Sequence, residues 1–189
     1  HQEIPLSRPS ITRAEEDAVL RVLRSGRLAM GPMTEEFEAM VAAEAGCTHG
    51  VAVSSGTSGL HLVMKALGIG PGDEVITTPF SFIASANCIL FVGAKPVFVD
   101  ICPRTLNMDP TKIEEAITPR TKAILAVETF GNPAHMDAYA SIAARREIPL
   151  IEDCCEALGT QYKARRCGSF GRAGVFGFYP NKQITTGEG

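Results

Sequence analysis

The chain has no long uninterrupted apolar run. The longest stretch, Ile83 to Val92, is broken by Ser85 and Asn87 and is too short to span a bilayer. No signal-peptide pattern opens the sequence. There is no block of like charge either: 18 basic and 21 acidic residues are interleaved to a net charge of −3. That excludes the basic patch by which nucleic acid or an anionic membrane is recognised. The six cysteines form no C-x-x-C pair, and the adjacent Cys154 and Cys155 suit neither a metal clamp nor an ordinary disulfide. They read as reduced thiols of a cytoplasmic protein. His1, His49, His61 and His135 have no metal-ligand spacing, so no metal is expected. No G-x-S-x-G motif is present. Gly68-Ile69-Gly70-Pro71-Gly72 follows a helical stretch and precedes a strand. That is the reverse of the dinucleotide fingerprint, so it reads as a helix stop and a turn.

What is present is a globular composition, 45% apolar and 21% charged, with alternating element patterns. Thr12 to Glu15 reads as a capping box opening a helix through Leu23, and a second helix is expected from about Glu35 to Ala45, stopped by Gly46. Strand-like runs follow at Gly50–Ser54, Glu74–Thr78, Pro96–Asp100, Ala123–Thr129, Pro149–Glu152 and Ala173–Tyr179. Helical stretches at Ser58–Leu67, Phe82–Val92, Pro110–Ile117 and Met136–Arg146 separate most of them. Runs as continuously apolar as Ala123-Ile124-Leu125-Ala126-Val127 suit strands buried on both faces. The expected fold is therefore α/β: three layers, with a mostly parallel sheet and helices on both sides. No repeat or linker divides it.

Three strand ends carry chemistry. Ser54-Ser55-Gly56-Thr57-Ser58-Gly59 leads into a helix; its hydroxyls either cap that helix or, with the free N–H groups, make an anion cradle. Asp153 ends a strand at the sheet's carboxyl edge, where ligands bind in such folds. It is either a turn aspartate or a buried acid awaiting a cation such as a protonated pyridine nitrogen. Lys182 follows the last apolar run and is either a solvated or ion-paired amine or a positioned nucleophile. Phe82, also past a strand end, is either core or a surface for a flat ring. Phosphate, pyridinium and aldehyde are the three handles of pyridoxal 5′-phosphate (PLP), the cofactor these positions suit.

On these segments, with Gly31, Glu36-Phe37-Glu38, Ala66 to Ile76, Gly93 to Asp100, Glu152-Asp153, Phe178 to Lys182 and Thr185 to Gly189, the chain resembles the DegT/DnrJ/EryC1/StrS sugar aminotransferases, of the aspartate-aminotransferase fold. The resemblance implies that Lys182 forms the Schiff base and shuttles the proton, that Asp153 partners the pyridine nitrogen, that Gly56, Thr57 and Ser58 bind phosphate, and that Phe82 stacks on the ring. Two further cofactor contacts are implied at positions that depart from the commonest pattern: Gly177 where a Ser is usual, and Glu156 where Gln or His is usual. Glu128 stands where a His is common. The implied activity moves an amino group from an amino acid, by resemblance L-glutamate, to a nucleotide-linked keto-sugar, in amino-sugar or cell-surface polysaccharide biosynthesis.

Two alternatives stay open. One is a sugar dehydratase of the same family, which would carry His in place of Lys182; the other is a family member acting without turnover. The expected organisation is a large cofactor-binding domain over residues 1–189, with a helical arm over about 1–46. A smaller C-terminal domain is expected beyond Gly189, and the active site is expected to be shared across a homodimer. The chain starts at His1 rather than Met and stops seven residues after Lys182; it is expected to be part of a longer protein and inactive alone.

Overall fold

A computed structural model describes residues 4, 5 and 7–189; His1 and the very start of the expected arm lie outside these. Helix α1 (Arg13–Ser25) opens on the expected capping box. The Glu15 carboxylate accepts the Thr12 N–H at 2.6 Å, and the Thr12 hydroxyl accepts the Ala14 N–H at 3.2 Å. None of α1 is buried, and its apolar residues Val19 and Leu23 face solvent. Helix α2 (Pro32–Ala45) begins ahead of the expected Glu35. A proline at the first helical position has its φ preset and lacks an N–H that would be unpaired there anyway.

The chain continues through α3 (Gly56–Ala66), β1 (Glu74–Thr77), α4 (Ala84–Phe91), β2 (Lys95–Phe98), α5 (Pro110–Ala116), β3 (Thr121–Val127), α6 (Met136–Arg145), β4 (Leu150–Asp153), β5 (Gln161–Tyr162), β6 (Arg165–Arg166) and β7 (Ala173–Val175). The main sheet runs β2-β1-β3-β4-β7, and all of its neighbours are parallel. Alternate residues of each strand enter opposite layers. Val75, Leu125, Ile151 and Val175 pack with Leu60 and Met64 of α3 and Cys88 and Ile89 of α4. Ile76, Ile124, Ala126 and Leu150 pack with Ile113 of α5 and Tyr139 and Ile142 of α6. The expected three-layer α/β architecture is the one observed. Among the described residues no helix is long and apolar enough to cross a membrane.

The expected strand at Gly50–Ser54 does not form. No strand among the described residues pairs with its residues. The Ala52 N–H donates instead to Glu38 Oε1 at 2.7 Å, and Val51 is exposed. Asp153 ends β4 as expected, whereas β7 stops at Val175, well short of Tyr179. Beyond it the backbone leaves the sheet, and Phe178 buries its ring edge-on against Phe37, 5.0 Å between centroids.

Candidate active site

Parallel strands all present their carboxyl ends to one edge, and a cleft of about 680 Å³ opens there. Its walls come from the segments that leave β1, β3, β4 and β7 and from the start of α3. Lys182, Asp153, Gly56, Thr57, Phe82, Glu156 and Gly177 all line it. Residues up to 126 positions apart in sequence thus meet at one place because the sheet gathers its strand ends.

Lys182 is held by the turn that carries it. Its backbone N–H donates to the Tyr179 carbonyl at 2.9 Å, and Thr185 and Thr186 fold the following chain back onto the Phe178 carbonyl. Its side chain is 17% exposed, and Nζ lies 3.3 Å from Glu156 Oε1. Glu156 in turn accepts the Phe130 N–H at 2.8 Å and, through its backbone carbonyl, the Gln183 side-chain amide. The lysine is therefore ion-paired and also directed into the cleft. The carboxylate beside it ties three loops together.

Asp153 is 7% exposed. Its Oδ2 accepts the Ser85 hydroxyl at 2.7 Å and its Oδ1 the Cys155 N–H at 3.3 Å. Among the described residues no Lys, Arg or His forms an ion pair with it. A buried carboxylate without a cation is costly, so this one fits a ligand that brings a positive charge.

At the start of α3, Ser55 is the N-cap, its hydroxyl accepting the Ser58 N–H at 3.1 Å. The first-turn N–H groups of Gly56 and Thr57 have no acceptor within the helix, as at any helix start, and they border the cleft. Ser58, the third expected phosphate residue, is not part of the cavity lining. Its hydroxyl turns back to those of Ser54 and Ser55, at 3.1 and 3.0 Å, and its N–H is spent on the cap.

Cys155 explains two glycines. A Cβ on Gly56 would lie 2.8 Å from its Sγ, and one on Gly177 3.2 Å. Both backbones therefore pass over the thiol, which burial pushes well above the ordinary range and keeps neutral. Phe82 stands at the rim, 76% exposed. Near it Phe80 and Phe130 meet edge-on, 6.2 Å between centroids.

Sequence reading missed Ser81 and Ser85. Ser85 had registered only as an interruption in an apolar run, yet a hydroxyl at a buried position needs a partner, and that was the available signal. It also missed a buried acid group behind the cleft. Glu128, Glu152 and Cys154 place their ligand-type atoms within 4.8 Å of one another. Glu152 is satisfied by the N–H groups of Gly168 and Gly171, at 2.8 and 2.7 Å. Among the described residues neither Glu128 oxygen has a hydrogen-bond partner. Burial, reinforced by Glu152, pushes its carboxyl well above the usual range.

Fold and site define a class: a parallel α/β domain, helices on both faces, with a lysine, a buried carboxylate and a helix start around one strand-end cleft. The chain belongs to the DegT/DnrJ/EryC1/StrS aminotransferase family, whose model matches residues 9–189. It is 47% identical to the spore coat polysaccharide biosynthesis protein SpsC of Bacillus subtilis over 186 residues, covering 98% of this chain and 48% of that protein. It is 43% identical to the GDP-perosamine synthase of Caulobacter vibrioides over 187 residues, covering 98% and 50%. Its structure superposes on the PLP form of a proposed sugar aminotransferase from Streptococcus pneumoniae with a TM-score of 0.93 at 35% identity, covering 97% of this chain and 51% of that one. That protein has also been solved in a PMP form. The chain spans about half the length of the curated relatives it matches.

Proposed function

We propose that this chain is the cofactor-binding part of a PLP-dependent aminotransferase that moves an amino group from an amino acid, L-glutamate in our reading, to a nucleotide-linked keto-sugar. One observation carries the reading: Lys182 and an Asp153 without a cation face the same cleft. In this reading Lys182 is the nucleophile that holds the cofactor aldehyde and then the base that carries the substrate's α-proton. Asp153 holds a proton on the pyridine nitrogen. Gly56 and Thr57 offer N–H groups to the phosphate, while Phe82 covers the ring. The roles of Glu156 and Gly177 are positional: the carboxylate orients the lysine, and the glycine lets the backbone approach. The cofactor supplies an electron sink for the negative charge left when the α-proton departs. The relatives' names, spore coat polysaccharide biosynthesis and GDP-perosamine synthesis, support a sugar-nucleotide acceptor.

The same reading assigns residues 1–189 to the large domain and its N-terminal arm, with a smaller domain and a second subunit completing the site. The exposed Phe82 and Phe130 at the rim support a partner surface. Six cysteines without a disulfide support the cytoplasm.

The test uses the whole protein. Adding PLP is expected to produce a visible absorption band that changes on addition of L-glutamate, and Lys182→Ala is expected to abolish the covalently bound form. No band in the unaltered protein, or the same band in Lys182→Ala, would sink the proposal.

A further inference from the structure

The Asp153 carboxylate does not stand alone. Ser85 Oγ is 2.7 Å from Asp153 Oδ2, and Ser81 Oγ is 2.7 Å from Ser85 Oγ. Ser85 is 1% exposed and sits in the first turn of α4, so a packed helix fixes its position. Ser81 lines the cleft, whereas Ser85 does not. Three polar groups thus form a line from the cavity wall to the end of β4.

The line has a direction. An ionised carboxylate only accepts, and a serine hydroxyl has one proton. Ser85 must give its proton to Asp153, so the bond between the serines must be donated by Ser81. Ser81 then has no proton left for the cleft and presents lone pairs there. Hydrogen bonds aligned in series polarise one another, so each hydroxyl strengthens the next. Without Ser85 the carboxylate would retain, among the described residues, the longer Cys155 N–H contact of 3.3 Å.

We infer that Ser85, backed by Ser81, is the positioning group for Asp153: a directed hydroxyl chain that fixes the carboxylate at the end of β4 and leaves Ser81 as an acceptor facing the cleft. The inference rests on the cofactor role proposed for Asp153. It adds that the chain acts through that carboxylate, and hence on the ring nitrogen alone.

The experiment compares two ligands in the whole protein: PLP, and its 1-deaza analogue, which has carbon in place of the ring nitrogen. Ser85→Ala is expected to weaken PLP binding about tenfold, the scale of one hydrogen bond to a charged group. Binding of the deaza analogue is expected to change less than about twofold, since it makes no bond to Asp153. Ser81→Ala, which removes only the outer link, is expected to weaken PLP about threefold with the same selectivity. Unchanged PLP binding in Ser85→Ala, or an equal loss for both ligands, overturns the inference; the latter marks a merely structural serine. Should Ser85→Ala fail to fold, Ser81→Ala decides by the same two criteria. If the unaltered protein binds no PLP, it is the proposed function that falls; if it binds PLP and the variants match it, only the hydroxyl chain does.

Discussion

Cys155 occupies the one place where two loops of the cleft need it to be small and neutral. Gly56→Ala would set a methyl 2.8 Å from its sulfur, closer than packed atoms tolerate. The expected cost is about 1–3 kcal/mol, read as a lower melting temperature. Adding Cys155→Ala to Gly56→Ala is expected to recover most of it, a coupling that a double-mutant cycle measures. If Gly56→Ala alone melts with the unaltered protein, the thiol is not what requires the glycine. At this scale the legible residues were those whose signal is local. Lys182, Asp153 and the Ser55–Thr57 turn each follow an apolar run and carry the residue types of a turn or helix start. Which hydroxyl of the loop becomes the cap is settled by backbone geometry, and it is Ser55 that accepts the Ser58 N–H. Ser85 was illegible because its meaning lies in an acceptor 68 positions away.

Among the elements, β7 is the one most tightly constrained by backbone contact. A Cβ on Gly174 would lie 2.4 Å from Gly168 Cα, and neither backbone can turn aside as a flexible side chain does. Gly174→Ala is expected to cost about 3 kcal/mol, measured by chemical denaturation. Gly70→Ala, whose added carbon would meet nothing nearer than 3.9 Å, is expected to be close to neutral. Equal stability of the two variants would contradict the packing argument. The parallel core was readable because continuous apolar runs mark strands covered on both faces. The β5–β6 hairpin was not, because its turn residues Lys163 and Ala164 have φ of 49 and 63° without the Asn or Gly that normally announces such a turn. The false strand at residues 50–54 has the right composition; pairing, which decides, depends on a neighbour that composition does not reveal.

For the whole molecule, buried and paired carboxyls set the pH range of stability. Glu128 keeps its proton in the fold well above the value at which the unfolded chain releases it. Its contribution is therefore neutral below about pH 4.5 and grows unfavourable as pH rises toward the folded value. The slope approaches about 1.4 kcal/mol per pH unit. Glu128→Gln removes the proton exchange, so its melting temperature is expected to exceed that of the unaltered protein increasingly from pH 5 to pH 8. A difference constant across that range would show that Glu128 does not titrate in the unfolding equilibrium. Paired acids act on the other side. Glu74, held down to about 2 by the Thr118 hydroxyl and Arg120, and Asp137, likewise by Lys163 and Tyr162, stabilise the fold above their unfolded values. That contribution is lost as pH falls from about 4 toward 2.

The all-parallel sheet has a consequence in time. A parallel ladder cannot be closed by a tight turn; each pairing must wait for a whole crossover to fold back, and such non-local closures are slow. Because the cleft borrows its walls from four strand ends, it is complete only when β1, β3, β4 and β7 are all in place. Until those pairings close, the ligand site is incomplete. Capture of a ligand therefore acts only after the slow steps are over: it secures a finished molecule against unfolding and leaves the pace of arrival to the chain.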